Sequence, residues 1–289
     1  MTLDQIIIRQ NRIPPAKKMA GRITLYLAIT VFAAFTIMPF LWMLSTSFKS
    51  QEAIKTLPIR WIPERPTTDG YERVFNMQSF SFSRSIFNSF FLAIMSTGVG
   101  VMSSAMAGFV FAKLPFKGSG KLFGLFLATL MIPGTVTMVP NYMILKHMGL
   151  LDTFTGLILP SVSSPFGVFL MRQAIRGINN AYLESATIDG ASLRRTFFAI
   201  LFPMIQPTVS TLILLNFMGS WNSYMWPLLV LSSNNKQTLQ TVLGTMAGQY
   251  GGNEHIQMAG AVITILPILV VYCLSQRYVD QGMAIGGLK

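Results

Sequence analysis

The residues whose types and spacing could support chemistry are concentrated in one polar segment, 175–203, which separates two apolar runs. Glu184 and Asp189 are carboxylates that can pair with basic side chains, and Gly190 follows Asp189 as a turn signal. The segment is far longer than two antiparallel helices need in order to reverse direction. The chemistry that it suits is electrostatic recognition of a partner, and we therefore expect a functional role for it.

The sequence contains no pattern typical of nucleotide, redox or metal chemistry. It lacks a G-x-x-x-x-G-K-[ST] loop for binding phosphates. Cys273 is the single cysteine, so neither an intrachain disulfide nor a cysteine-based metal site is possible. His147 and His255 are the only histidines, and we expect both to be solvated side chains in polar connections. The sequence therefore predicts a chain that is not an enzyme and that binds no cofactor or metal itself.

Local signals divide the polar segment into two short helices. The pair Asn179–Asn180 supplies N-cap residues for the first helix, and Asp189–Gly190 predicts a tight turn after it. Ser192 is a cap for the second helix, which we expect Pro203 to end. The sequence thus predicts two rigid pieces joined by a tight turn.

The first of these helices has two different sides. Leu183, Ala186 and Thr187 share one side at i, i+3, i+4 spacing, so we expect them to pack together. Glu184 lies in the opening turn, where the helix dipole favours an acid. The small side chains of Ser185 and Ala186 would allow another chain to approach closely.

Long apolar runs surround this segment. Of the 289 residues, 52% are hydrophobic and 11% are charged, whereas about a quarter of the residues in a soluble domain are charged. Runs of about 20 apolar residues match the thickness of a bilayer and are rare in soluble cores. The first run is too long for a signal-peptide core, so we expect it to be kept as an anchor. The sequence predicts an all-α, polytopic membrane protein with six transmembrane helices, at 23–48, 86–112, 121–143, 154–174, 204–231 and 258–280.

The distribution of positive charge predicts the orientation of these spans. Lys and Arg number 22 against 10 Asp and Glu, a net charge of +12, which in a soluble protein would suggest a nucleic-acid partner. In a membrane protein, basic cytoplasmic loops explain the same excess. Six spans place both termini on one side, and most of the basic residues fall on that side, so we expect cytoplasmic termini. The predicted parts are a basic N-terminal segment 1–22, a transmembrane domain 23–280 with an outer loop 49–85 and a cytoplasmic loop 175–203, and a cytoplasmic tail 281–289.

The outer loop 49–85 is the longest connection on its side. It includes Trp61–Pro66, whose two prolines favour extended backbone over helix. A docking surface and a plain solvated connector are both compatible with this composition.

Five residues of the polar segment stand at a specific spacing: Glu184, Ala186, Gly190, Ile200 and Pro203. This segment resembles the EAA loop of binding-protein-dependent ABC import permeases, whose pattern is E-A-A, three residues, G, nine residues, I, two residues and P. It departs from that pattern at Ser185, and at Phe202, where a Leu is usual before the proline.

The resemblance extends over essentially the whole chain and is closest to the carbohydrate-uptake, MalG-like branch. The matching residues are Pro39-Phe40-Leu41-Trp42, Ser47-Phe48-Lys49, Asn88-Ser89, Trp221-Asn222, Trp226-Pro227-Leu228 and the closing segment 277–289. It implies a type I, MetI/MalG-like permease core in a bacterial cytoplasmic (inner) membrane. The implied cargo is a sugar or oligosaccharide, neutral or acidic, although the coupling loop itself is equally compatible with a permease for another solute.

In that family the loop forms a coupling helix that sits in a cleft of an ATP-binding subunit. The resemblance implies that Glu184 faces basic side chains there and that Gly190 is the turn. The residues assigned to coupling are Glu184, Ser185, Ala186, Asp189, Gly190, Ala191, Ile200 and Pro203. In the tail, Gly286, Gly287 and Lys289 form either a second ATPase contact or a frayed end.

The resemblance also implies a set of partners. They are a second, MalF-like permease subunit, two ATP-binding subunits that carry the ATP and Mg, and an extracytoplasmic solute-binding protein. The lipid bilayer surrounds the assembly, and no nucleic acid is involved.

The fifth span contains the polar and aromatic residues that a sugar path needs. Asn216, Ser220, Trp221, Asn222 and Tyr224 could line this path, because sugar hydroxyls require hydrogen-bond partners and aromatic faces. The alternative is that the polar side chains join helices and that the aromatic ones mark the membrane interface.

Two other classes of membrane protein are less compatible with the sequence. A secondary transporter would show buried ionisable residues or repeated broken helices, whereas Asp280, at the end of the sixth span, is the only acid in the predicted spans. A membrane-embedded enzyme would need a nucleophile beside a base at membrane depth, and the spans supply serines without one.

Overall fold

The computed structural model describes residues 15–77, 80–249 and 252–286, and all regular secondary structure in these ranges is helical. The α-helices, in chain order, are α1 Pro15–Ser47, α2 Gln51–Lys55, α3 Asp69–Phe75, α4 Phe82–Lys113, α5 Ser119–Ala128, α6 Gly134–His147, α7 Phe154–Ile158, α8 Pro165–Arg176, α9 Ala181–Ile188, α10 Leu193–Arg195, α11 Phe202–Met204, α12 Gln206–Trp221, α13 Met225–Val230, α14 Leu239–Gln249 and α15 Glu254–Gly286. Short 3-10 helices follow α5 and α7, and a π-helix, Thr196–Leu201, joins α10 to α11.

Three helices in the described part of the chain are long and apolar enough to cross a membrane singly, within α1, α4 and α15. Three bent pairs also qualify if each pair is counted as one span, which gives up to six. The pairs are Ser119–Met131 with Gly134–His147, Phe154–Val162 with Pro165–Arg176, and Leu193–Met204 with Gln206–Trp221, bent by 103°, 42° and 81°.

The structure therefore differs from the sequence prediction in the continuity of the third, fourth and fifth spans. Pro133, Pro165 and Pro207 lie at or just after the three breaks. Proline has no backbone N–H and restricts the residue before it, so it favours the start of a new helix over the continuation of an old one. The fifth predicted span, 204–231, is also interrupted between α12 and α13.

Helix α4 is the centre of the bundle and packs closely on α8. A Cβ added at Gly108 would lie 2.7 Å from the Cβ of Met171 and 2.8 Å from the backbone nitrogen of Arg172. The two backbones can approach this closely because Gly108 has no side chain. Arg172 continues the contact, since its Nε donates to the carbonyl oxygen of Phe111 at 3.2 Å.

Helix α1 packs along one side of α15 and leaves most of its apolar surface exposed. Phe32 is 72% exposed and Phe35 is 75% exposed. A soluble monomer rarely exposes a contiguous apolar surface of this kind. Lipid or another membrane subunit is the environment that suits it.

The connection between α1 and α4 folds back on the bundle. Trp61 packs edge-on against Trp42 of α1, with 5.2 Å between ring centroids. Lys49 is buried, and its Nζ donates to the carbonyl oxygen of Arg60 at 2.6 Å. As predicted, Trp61–Pro66 forms no helix, but the segment is packed against α1.

The expectation that His255 is a solvated side chain was wrong. His255 is the second residue of α15 and is only 2% exposed. Helices α2 and α3 cover it, and Gly70 of α3 is so close that a Cβ there would lie 2.9 Å from the carbonyl oxygen of His255. The burial depends on residues almost 200 positions away in the chain, so the local sequence could not reveal it.

Candidate functional site

The turn after α9 has the hydrogen bonds of a Schellman motif. The backbone nitrogen of Ala191 donates to the carbonyl oxygen of Ala186 at 2.9 Å, and that of Gly190 donates to Thr187 at 3.1 Å. Gly190 has a φ of 70°, in the left-handed region that glycine adopts without steric cost. The tight turn predicted from Asp189–Gly190 is confirmed.

The inner side of α9 is held by packing and by one distant lysine. Ala186 is buried, and Leu183 packs against the apolar cluster that includes Phe197. At the end of α4, the Nζ of Lys113 donates to the carbonyl oxygen of Ile178 and to the Oδ1 of Asn180, both at 2.6 Å. Lys113 thereby fixes the segment that leads into α9. Sequence reasoning missed this contact because its residues lie more than 60 positions apart.

The outer side of α9 carries the acidic residues. Glu184, Ser185 and Asp189 are exposed, and the carboxylate of Glu184 has no hydrogen bond or ion pair with the described residues. The Ser185 hydroxyl donates to the carbonyl oxygen of Ala181 at 2.8 Å. This side can therefore receive a basic partner without first breaking an internal contact.

Two details of α9 differ from the prediction. Thr187 is exposed and donates to the carbonyl oxygen of Leu183 at 2.8 Å, so it does not share the packed side. The side chain of Asn180 makes no capping bond to the helix because it accepts from Lys113. Asn179 supplies a bond nearby, since its Oδ1 accepts from the backbone nitrogen of Ala181 at 3.0 Å.

The second part of the segment is longer than predicted. Ser192 caps α10 as expected, accepting from the backbone nitrogen of Arg195 at 3.4 Å. The chain then continues through the π-helix into α11, and Pro203 is the second residue of α11. The break comes two residues later, at Ile205.

The π-helix connects α9 to the membrane bundle. The rings of Phe197 and Phe109 of α4 lie 5.5 Å apart between centroids. Ile200 is half-buried, and Leu201 is fully buried. A displacement of α9 would therefore reach α4 and α12 through packed side chains, and not through a loose connection.

A second feature is a cavity of about 440 Å³ beside α4, α12 and the break between α7 and α8. The predicted path residues Asn216 and Ser220 line it. The structure adds polar lining residues that sequence reasoning missed, because a serine in an apolar run also fits helix packing: Ser89, Ser96, Ser161, Ser163, Ser164, Ser223, Trp226 and Thr238.

The other three predicted path residues do not line this cavity. Trp221 is 1% exposed, and its Nε1 donates to the carbonyl oxygen of Thr264 at 3.2 Å, so it belongs to the core between α12 and α15. Asn222 is exposed. Tyr224 packs its ring over Gly244, where an added Cβ would lie 2.5 Å from the ring carbon Cε2.

Asp152, just before α7, organises the connection between α13 and α14. Its Oδ1 accepts from the backbone nitrogens of Ser232 and Ser233 at 3.1 and 3.0 Å, and its Oδ2 pairs with Lys236 Nζ at 3.0 Å. The Ser233 hydroxyl donates to the same carboxylate. These bonds, led by the one from the Ser233 hydroxyl, hold the pKa of Asp152 well below its usual range.

The tail residues assigned to a second ATPase contact are only partly described. Gly286 is the last residue of α15. Gly287 and Lys289 lie outside the described residues. Among the described residues, no group of three or more His, Cys, Asp or Glu could hold a metal ion.

Residues 19–285 match the family profile described as "Binding-protein-dependent transport system inner membrane component". The chain is 33% identical over 270 residues to the arabinooligosaccharides transport system permease protein AraQ of Bacillus subtilis (strain 168), covering 93% of this chain and 96% of the relative. It is 30% identical over 270 residues to the lactose transport system permease protein LacG of Rhizobium radiobacter, covering 91% and 95%.

A solved structure has the same fold. It is a bacterial ABC transporter involved in the import of the acidic polysaccharide alginate. The TM-score is 0.82 at 22% sequence identity, with 93% of this chain and 99% of the other chain covered.

Proposed function

Because this chain belongs to the family of binding-protein-dependent transport system inner membrane components, and is thus a multi-pass membrane subunit of an ABC importer, we propose that it imports a sugar or oligosaccharide. Relatives named for arabinooligosaccharides and for lactose support this cargo class. The hydroxyl-lined cavity beside α4 and α12 supports it as well, since sugars are recognised by hydrogen-bonding groups in a largely apolar setting.

The observation that carries the coupling part of this proposal is the exposed acidic side of α9. Glu184 and Asp189 face solvent on a helix whose far end is closed by the Schellman motif and whose near end is fixed by Lys113. A short, rigid, acidic helix suits a basic cleft on a separate ATP-binding subunit. When that subunit moves, α9 moves with it as a unit.

The remaining coupling residues have roles that follow from their positions. The small side chains of Ser185 and Ala186 allow a partner to approach the helix closely. Gly190 and Ala191 form the turn. Ile200 and Pro203 lie on the segment that carries motion from α9 into the bundle.

The assembly that we propose has one further membrane subunit and three soluble components. The exposed apolar surface of α1 suits a second, MalF-like permease subunit. Two ATP-binding subunits carry ATP and Mg, and an extracytoplasmic solute-binding protein delivers the solute. Both termini face the cytoplasm, and Gly286, Gly287 and Lys289 provide a second contact to the ATPase pair.

Two alternatives make different predictions. A permease for another solute would share α9 and differ only in its cavity. A secondary transporter was expected to contain broken helices, and three bent pairs do occur here. However, membership of the ABC permease family and a rigid acidic helix outside the bundle favour coupling to an ATPase.

The test is ATP-dependent uptake of labelled oligosaccharides into proteoliposomes that contain the four kinds of subunit. Glu184→Ala should lower the uptake rate at least about tenfold, because the basic partner loses its counter-charge. Glu52→Ala is the matched control, an exposed acid on α2 at the other end of the bundle, and it should retain wild-type uptake. Uptake that requires no ATP, or an uptake rate that is unchanged in Glu184→Ala, would contradict the coupling proposal.

A further inference from the structure

The polar lining of the cavity consists of uncharged groups. The cavity contacts seven serine hydroxyls, one threonine hydroxyl, the side-chain amide of Asn216 and the indole of Trp226. The rest of its wall is apolar and includes Leu92, Leu157 and Pro160. Such a wall offers donors and acceptors in many directions, which matches the hydroxyl groups of a neutral sugar.

Some of these hydroxyls already make hydrogen bonds within the protein. The Ser89 hydroxyl accepts from the backbone nitrogen of Leu239 at 2.8 Å. The Ser164 hydroxyl accepts from the backbone nitrogen of Gly167 at 3.1 Å and caps α8. These two serines therefore hold the wall in place and are poorly suited to bind a solute.

Other lining groups are available. Within the described part of the chain, the side chains of Asn216, Ser96, Ser161 and Ser220 make no hydrogen bond. The Nε1 of Trp226 is buried and likewise has no partner among the described residues. This nitrogen has almost no accessible surface, however, so the side chains of Asn216 and the three serines are the groups that a solute in the cavity can reach.

Three elements bring the available groups together at one glycine. A Cβ added at Gly100 of α4 would lie 3.0 Å from the Nδ2 of Asn216 and 3.1 Å from the carbonyl oxygen of Ser161. The absence of a side chain at Gly100 thus lets the amide of α12 and the serine at the α7–α8 break both approach α4 at the same point. Gly100, Asn216 and Ser161 lie near the middle of their predicted spans, at membrane depth.

We propose that this cavity binds an uncharged, hydroxyl-rich sugar unit through Asn216, which is positioned by Gly100, and that the lack of any charged side chain among the described residues of the cavity wall discriminates against uronate sugars. A uronate carboxylate at this depth would lose its hydration without meeting a positive side chain from this wall, and an unpaired charge in an apolar setting is strongly disfavoured. The inference rests on the proposed function and narrows its cargo from sugars in general to neutral ones.

The first experiment measures binding to the assembled permease and ATP-binding subunits in lipid nanodiscs. The solute-binding protein is omitted, so that any selectivity arises from the membrane subunits. The probes are labelled neutral arabinotetraose, labelled neutral maltotetraose and labelled tetragalacturonate. At least one neutral probe should bind about tenfold more tightly than tetragalacturonate, the difference expected from one lost hydrogen bond or one unpaired charge. Equal or tighter binding of tetragalacturonate, or no neutral binding, would overturn the inference.

The second experiment tests whether this wall binds the neutral sugar. Asn216→Ala should weaken neutral binding about tenfold through loss of the amide. Gly100→Ala should weaken it in the same direction, because the new methyl group displaces the amide. Gly98→Ala is the matched control on the same helix, where an added Cβ meets no atom within 4 Å, and it should bind as wild type does. Unchanged binding in both Asn216→Ala and Gly100→Ala would overturn the role of this wall.

The two proposals fail separately. If ATP-dependent uptake persists and still depends on Glu184 while tetragalacturonate is the preferred probe, the permease assignment stands and only the neutral-sugar inference is lost. If ATP-dependent uptake is absent with every probe, the proposed function itself fails.

Discussion

The Nε2 of His255 lies 3.0 Å from the Oδ2 of Asp69, and this contact ties the first turn of α15 to α3. The other ring nitrogen, Nδ1, lies 3.0 Å from the Oε1 of Gln51. The Gln51 amide nitrogen donates to the carbonyl oxygen of Gly252, which fixes the amide oxygen toward the histidine. Three separate parts of the chain are thus joined around one buried ring.

Asp69→Ala should destabilise the protein. The change removes the acceptor of the buried His255 ring and the partner of Arg73, whose hydrogen bond is the main reason that the pKa of Asp69 is lowered. We expect a loss of about 1–3 kcal/mol, the usual cost of leaving a buried polar group unsatisfied. Thermal unfolding in detergent measures it, with Glu52→Ala as the exposed control. Identical midpoints in the two variants would contradict a structural role for the contact.

Gly190→Val should impair coupling far more than Gly190→Asn. The φ of 70° is unfavourable for a branched side chain but is tolerated by asparagine. An added Cβ meets no atom within 4 Å, so the difference reports on backbone conformation and not on a clash. ATP-dependent uptake should fall several-fold in Gly190→Val and stay near wild type in Gly190→Asn, in line with a strain of about 1–2 kcal/mol. Equal rates in both variants would show that the turn conformation is unimportant.

Lys113→Met should loosen the entry to α9 while keeping the apolar length of the side chain. It removes the hydrogen bonds to the Ile178 carbonyl and to the Asn180 side chain. Backbone amides of 179–186 should then exchange hydrogen faster, and ATP-dependent uptake should fall. Lys117→Met, an exposed change four residues later, is the control. Unaltered exchange in Lys113→Met would mean that packing alone holds α9.

Stability at low pH should depend on Asp152. Its pKa is lower in the folded protein than in the unfolded chain, so its contribution is fully present above the ordinary pKa of about 3.9. That contribution is lost as the pH falls through the folded pKa. The stability advantage of the wild type over Asp152→Asn should therefore shrink between about pH 5 and about pH 2.

The measurement is the unfolding midpoint of both proteins across this pH range. Ser233→Ala removes the hydroxyl that contributes most to the lowered pKa of Asp152. In the Ser233→Ala background, the stability difference between Asp152 and Asp152→Asn should therefore depend less on pH. A constant difference between wild type and Asp152→Asn at every pH would contradict the assignment.

Features set by neighbouring residues could be predicted before the structure. The six apolar segments follow from run length, because a bilayer requires about 20 apolar residues whatever packs beside them. The turn at Gly190 and the cap at Ser192 follow from local backbone chemistry. In the cavity, Asn216 and Ser220 stood out because polar residues are costly in an apolar run.

The sequence by itself thus determined that the chain crosses a membrane and where α9 turns, since these properties depend on residues close together in the chain. Only the tertiary structure decided that His255 is buried, that Trp221 is a core residue and that Ser161 and Asn216 both lie beside Gly100. Each of these facts depends on which distant helices come into contact. That choice is made by the packing of the whole bundle, which no local pattern of residues encodes.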